Sequence, residues 1–209
     1  MFKPNVNIKN ILWDFDGVIM DSMAVRDRGF EIVLKEHSKE EIEKLMAFHR
    51  ANGGLSRYMK FRYFFNEIKK EQISDEEIRI FASKFSEIML ENLVNPVLLI
   101  DDALNFIQRK HQLYNMHVVS GSDQEELRHI CKKVNISTFF HSIYGSPTPK
   151  KLLVKEVLKN NNYKNSETIL IGDSINDYEA AVENGITFFG YNNIKLKEDG
   201  KNYIESFSV

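Results

Sequence analysis

Four short apolar runs constrain the fold more than anything else in the chain: Ile11 to Phe15, Met116 to Ser120, Thr168 to Ile171 and Ile186 to Gly190. Each carries β-branched or aromatic residues and ends at turn or polar residues, the pattern of a buried strand. A weaker candidate lies at Phe139 to Tyr144. Between the runs, Asp102 to Gln112, Asp123 to Val134, Pro149 to Asn160 and Ile175 to Asn184 repeat apolar residues at i, i+3 and i+4. Strand and helix in alternation predict an α/β fold, a doubly wound parallel sheet with helices on both faces. In such sheets ligands sit outside the carboxyl ends of the strands.

The stretch from Ser22 to Asn95 breaks the alternation and reads as helical throughout. Ser38-Lys39-Glu40-Glu41 and Ser74-Asp75-Glu76-Glu77 have capping-box spacing, and Asn52-Gly53-Gly54 marks a break between helices. The expected division is a core from residues 1–21 and 96–209 with a helical cap at 22–95, Pro96 marking the return. An insertion after the first strand would lie over the ligand edge as a lid. The full length of 209 residues suits this division.

The net charge of -2 argues against nucleic acid as the main partner. No run of about 18 apolar residues is present to span a membrane, and Met1 to Asn10 lacks the apolar centre of a secretory leader. Cys131, the single cysteine, excludes an intramolecular disulfide and reads as a packing residue. A cytoplasmic location is expected.

Asp14-Phe15-Asp16-Gly17-Val18 directly follows the first apolar run. Strand alternation would send both carboxylates to one face, where they repel in a low dielectric. A divalent cation between chain and phosphate relieves that repulsion and frees one carboxylate to attack phosphorus. Three other polar clusters follow strands or open a helix: Ser120-Gly121-Ser122, Lys150, and Gly172-Asp173-Ser174-Ile175-Asn176-Asp177. In a parallel sheet they converge on one edge. The bland reading of Ser174/Asp177 and of Ser122/Glu125 is helix capping. Thr148 and Pro149 read as N-cap and first helical residue; a lysine in that first turn opposes the helix dipole, which points to another purpose.

These motifs resemble the haloacid dehalogenase-like superfamily of phosphohydrolases, in Asp14-Phe15-Asp16-Gly17-Val18-Ile19, Val118-Val119-Ser120-Gly121-Ser122 and Gly172 through Ala181. The insertion resembles the helical cap of the phosphoglycolate phosphatase and β-phosphoglucomutase type. The resemblance implies that Asp14 is the nucleophile and that Asp16 is the general acid and then base, its carbonyl also ligating metal. It further implies that Asp173 is a Mg2+ carboxylate supported by Asp177, and that Ser120 and Gly121, with Ser122 beside them, hold the phosphoryl. Lys150 would offset its charge, with Lys151 as the neighbouring candidate; many relatives carry this lysine earlier, where this chain has Ser146. Val18 stands where threonine is common. Asp16 favours phosphate over halide chemistry. The implied activity is Mg2+-dependent hydrolysis of a small phosphomonoester, a sugar phosphate or phosphoglycolate-like metabolite. A phosphomutase, or a binding protein without turnover, are the alternatives.

In the cap, Arg50, Arg57, Lys60 and Arg62 flank the glycine break. They either form a solvated helix face or reach down to an anionic substrate, with Arg57 the substrate-binding candidate. Phe61, Tyr63, Phe64 and Phe65 read as cap core. The six histidines show no metal-ligand spacing and read as surface or structural.

Overall fold

The computed structural model describes residues 7–207. The leader reading of Met1 to Asn10 therefore lies outside the described residues through position 6. Six strands form one sheet: β1 (Asn10–Trp13), β2 (Asn115–Asp123), β3 (Ser142–Ser146), β4 (Thr168–Gly172), β5 (Thr187–Tyr191) and β6 (Tyr203–Ile204). They are parallel throughout, in the order β3-β2-β1-β4-β5-β6. Chain order reverses between β1 and β4, the position where doubly wound sheets hold their ligands.

Between β1 and β2 run α1 (Met23–Val33), α2 (Lys39–Ala51), α3 (Arg57–Tyr63), a π-helical turn (Phe64–Lys69), α4 (Asp75–Leu93) and α5 (Asp101–Lys110). The later strands are joined through α6 (Gln124–Lys133), α7 (Lys150–Asn160), α8 (Ile175–Glu183) and α9 (Ile194–Glu198). The first four helices form the helical insertion after β1, called the cap below. Its two connections to the core pair as a short antiparallel contact between Met20 and Leu99. The amide of Asp21 donates to the Leu98 carbonyl at 2.7 Å and that of Ile100 to the Ile19 carbonyl at 2.9 Å.

Strand alternation divides the apolar residues between two cores. Ile11, Trp13, Val118, Ile169 and Ile171 face one side together with α5, α6 and the cap. Leu12, Val119 and Leu170 face the other, against Val154 and Val157 of α7 and Ala180 and Ala181 of α8. Both faces are covered, which is why these strands read as unbroken apolar runs. Phe61, Phe64 and Phe65 are buried in the cap, and Tyr63 stacks on Phe48 at 3.7 Å. Cys131 is buried, and burial pushes its thiol up to about 12.

Some boundaries differ from the expectation. β3 begins at Ser142, not Phe139, because Ser137–Phe139 closes a 3-10 turn that tucks Phe140 inside. β2 runs on to Asp123, through a register shift after Val119, so Ser120 and Ser122 belong to the strand. Helix α6 is therefore capped by Asp123, which accepts from the amides of Glu125 at 3.1 Å and Glu126 at 3.2 Å, and Ser122 does not cap it. Helix α7 starts at Lys150 with Pro149 as its cap residue, one position later than expected. β6 had no strand signal. Among the described residues no helix is long and apolar enough to cross a membrane.

Candidate active site

Register alone gathers the predicted residues. Trp13 pairs with Val118 on one side and Ile171 on the other. Asp14, Ser120 and Asp173 therefore emerge at the same edge, each within two residues of that level. The Asp14 amide is held by the Ile171 carbonyl at 2.9 Å.

The two leading carboxylates part company there. Lys150 Nζ donates to Asp14 Oδ1 at 2.7 Å and also pairs with Asp177. Arg26 Nε donates to Asp16 Oδ1 at 2.5 Å, Ser122 Oγ to Asp16 Oδ2 at 2.5 Å, and Ser22 Oγ also donates to Oδ1. Each aspartate thus has its own cationic partner, and no shared cation is needed to separate the pair. Lys150 is buried, whereas Lys151 lies on the surface, 3.2 Å from Glu183. The first-turn lysine that opposes the α7 dipole is balanced by these carboxylates.

Asp14, Asp173 and Asp177 each present a carboxylate oxygen within 4.8 Å of the others. Burial, then the nearby Asp177 charge, push Asp14 up to about 7 against the opposing pull of Lys150. Burial, followed by Asp14 and Asp177, raises Asp173 well above the usual carboxylate range. Hard oxygen donors crowded in this way fit Mg2+, whose charge reverses the local repulsion. Asp16 behaves oppositely. Burial alone would raise it, but Arg26, Ser122 and Ser22 together hold it below the usual range. The Asp16 side chain stands outside the three-carboxylate cluster, so any share in metal binding falls to its backbone. Asp177 serves twice, since its Oδ2 accepts from Ser174 Oγ at 2.5 Å and completes the capping box of α8.

Glycine is required at two points. Gly17 has φ +76°, and a Cβ there would overlap the Asp173 carboxylate. A Cβ on Gly121 would overlap the carbonyl of Gly54, so the glycine break of the cap rests directly on the core. Asn192 Nδ2 donates to the Gly17 carbonyl at 3.0 Å and Asn193 Nδ2 to the Asp173 carbonyl at 2.7 Å, bracing both loops from beyond β5.

Beneath the cap a cavity of about 30 Å³ lies over Asp14, Asp16, Ser120, Gly121, Ser122 and Asp173. That is room for a water molecule or two. From the cap, Arg26, His49, Arg57 and Lys60 line it. The four cap cations divide accordingly. Arg50 pairs with Asp27 at 2.8 Å and Arg62 with Asp75 at 2.5 Å, both at the surface. Arg57 and Lys60 are buried. Arg57 meets Glu126 of α6 in a two-point pair at 2.6 and 2.7 Å, donates to Ser86 at 2.6 Å and covers the Phe85 ring. Sequence reasoning missed Arg26, His49 and Glu126. Among the other histidines, His117 is buried on β2 between Ser142 and Tyr163, a structural setting.

A sequence model of the haloacid dehalogenase-like hydrolases matches residues 11–191. The chain is 21% identical over 196 residues to a phosphoglycolate phosphatase of Aliivibrio fischeri, covering 89% of this chain and 86% of that protein. CbbY from Rhodobacter sphaeroides, solved in complex with phosphate, has a similar fold with a TM-score of 0.76 at 14% identity over 96% of this chain and 95% of that one. A predicted phosphatase from Clostridium acetobutylicum gives a TM-score of 0.74 at 18% identity, covering 94% and 93%. The family match spans most of the chain, and on that ground the protein belongs to the haloacid dehalogenase-like hydrolases.

Proposed function

We propose that this protein is a Mg2+-dependent phosphatase that hydrolyses a small phosphomonoester through an aspartyl-phosphate on Asp14, with residues 22–95 acting as its cap. The observation that carries this reading is the Asp14 carboxylate, buried at the cavity between Lys150 and the Asp173/Asp177 pair. A structural element gains nothing from three crowded acids, whereas phosphoryl transfer needs that arrangement.

In the first step Asp14 attacks phosphorus while the bond to the leaving oxygen breaks, and that oxygen takes a proton from Asp16. In the second, water attacks the same phosphorus, gives its proton to the Asp16 carboxylate, and releases Asp14 and inorganic phosphate. Lys150, the Ser120 hydroxyl and the Gly121 amide would hold the phosphoryl oxygens. Mg2+ held by Asp14, Asp173 and the Asp16 carbonyl, with Asp177 in support, would neutralise the attacking carboxylate and the phosphoryl charge. As it stands Asp16 is ionised, the form the second step uses. The first step needs its proton, so contact with the substrate must loosen the hold of Arg26.

Phosphate release from a chromogenic ester, present with Mg2+ and absent with a chelator, tests the reading; no release under either condition overturns it. Asp173→Asn is expected to raise the Mg2+ concentration for half-maximal rate by about tenfold or more. An unchanged Mg2+ titration removes Asp173 from the ligand set. Gly121→Ala, which pushes against the Gly54 carbonyl, is expected to fold with a lowered thermal midpoint and to lose about 100-fold in kcat/KM, because the cap loop cannot seat. Wild-type kcat/KM in that variant would show that closure onto Gly121 has no part in turnover. A reducing, cytoplasmic setting accords with this assignment.

A further inference from the structure

Three buried cations line the cavity from the cap; two of them are paired with carboxylates, Arg26 keeping one buried nitrogen, Nη2, without a hydrogen-bond partner. Arg26 is paired with Asp16 and lies 3.3 Å from Glu126, and Arg57 is clamped by Glu126 at two points. Lys60 is different. It is 3% exposed, lines the cavity, and its Nζ donates to a single backbone oxygen, the Gly53 carbonyl, at 3.1 Å. No carboxylate lies within ion-pair distance of it among the described residues.

Burying an ammonium with one neutral acceptor is costly. Burial, then the Arg26 and Arg57 charges, push this amine down to about 7. The Asp16 charge is among the influences on it but does not balance the others. An unanswered cation inside a cavity selects for a ligand that brings the missing negative charge.

We propose that Lys60 is the specificity residue for a second anionic group on the substrate, carried by the leaving portion and seated against the cap while the phosphoryl lies over Asp14. The proposal deepens the phosphatase reading and rests on it for the seat of the first group. On the cap side two carboxylates pair with the two arginines, and Lys60 is the cation there without a carboxylate partner among the described residues. That balance favours a singly charged carboxylate over a second phosphate. The glycine break, whose Gly53 carbonyl now holds Nζ, would give up that hydrogen bond to the incoming anion.

The test compares kcat/KM for 2-phosphoglycolate, ethylene glycol bisphosphate and 2-hydroxyethyl phosphate, three two-carbon esters differing in the second group. The wild-type protein is expected to prefer a charged ester over the hydroxyl one, and the better of the two charged esters identifies the group. In Lys60→Met that preference falls about 10- to 100-fold, the range of a charge-assisted hydrogen bond, and Lys60→Arg recovers part of it. Lys60→Gln replaces the methionine variant if the latter does not fold. A preference that survives, or an equal loss on all three esters, overturns the proposal, the second result giving Lys60 to the phosphoryl instead. Glycolate, which has the carboxylate and no phosphoryl, supplies a readout independent of turnover. It is expected to raise the thermal midpoint of the wild-type protein and not that of Lys60→Met. Equal effects on both overturn the proposal. If no ester is hydrolysed at all, the phosphatase reading fails, and the glycolate measurement still decides the role of Lys60.

Discussion

Replacing Asp14 by asparagine is expected to abolish phosphate release, by at least about 10⁴-fold, while the fold stands. The amide has the volume of the carboxyl and can still accept from Lys150, so the packing around β1 is kept. It cannot attack phosphorus. Stability is expected to move the other way. The pKa of Asp14 in the folded chain is raised to about 7, so the unfolded chain, with the lower pKa, releases the proton first as pH rises. Ionisation therefore costs the native state stability progressively between about pH 4 and pH 7, and the cost persists above that window. Asparagine removes that cost. In chelator at pH 8 the variant should melt at a higher temperature than the wild-type protein, the gain shrinking as pH falls toward 4. Mg2+ should shrink it too, because the cation favours the carboxylate. Thermal melts with and without Mg2+ check this, and retained turnover would remove the covalent step.

Lys150→Ala is expected to lose about 10³-fold in kcat/KM, while Lys151→Ala stays within about twofold. The difference follows from burial. Side-chain exposure is 4% for Lys150 and 53% for Lys151. Losing Lys150 leaves Asp14 and Asp177 without their shared counter-charge, and breaking a buried pair costs about 3–5 kcal/mol. Asp14 and Asp177 raise the Lys150 pKa in the fold against the pull of burial. Its contribution is therefore complete at neutral pH and is lost only as pH rises beyond the ordinary lysine range. The destabilisation of the alanine variant should be visible at pH 7 and should diminish in acid, where Asp14 takes up its proton. Denaturant melts at pH 7 and pH 4.5 check the sign. A larger kinetic loss for Lys151→Ala would transfer the role to that residue.

Much of the fold was legible because the sheet is buried on both faces. Ile11, Leu12 and Trp13 are apolar in succession, and no exposed helix or half-exposed strand writes that pattern. The helical cap was legible from its serine caps, and Ser38 and Ser74 do accept from the amides of Glu41 and Glu77. The two-residue strand β6 carries too little pattern to see, and β3 was misplaced because Phe139 and Phe140 pack a turn next to it. The structure brings the aspartates, Ser120 and Lys150 to one edge of the sheet, and each is legible because it stands in or beside a strand-end or helix-start motif. Arg26 and Glu126 are not. They lie 100 residues apart on helices whose charged residues look like solvent faces, and only tertiary packing turns them toward each other. Asp14 and Asp16 do repel, the Asp16 charge being among those that raise Asp14. The remedy, a separate cation for each, could not be read without knowing where Arg26 points.

With the cap seated as it is, the space over Asp14 admits little more than water. If a phosphomonoester is to reach Asp14, the Arg57–Glu126 contact, which crosses from cap to core, is the one expected to part. Only the fraction of molecules caught ajar can capture substrate, and the observed affinity is weaker than the intrinsic one by that fraction. Turnover is then expected to slow as solvent viscosity rises, and a rate independent of viscosity would show that parting of the halves does not limit it.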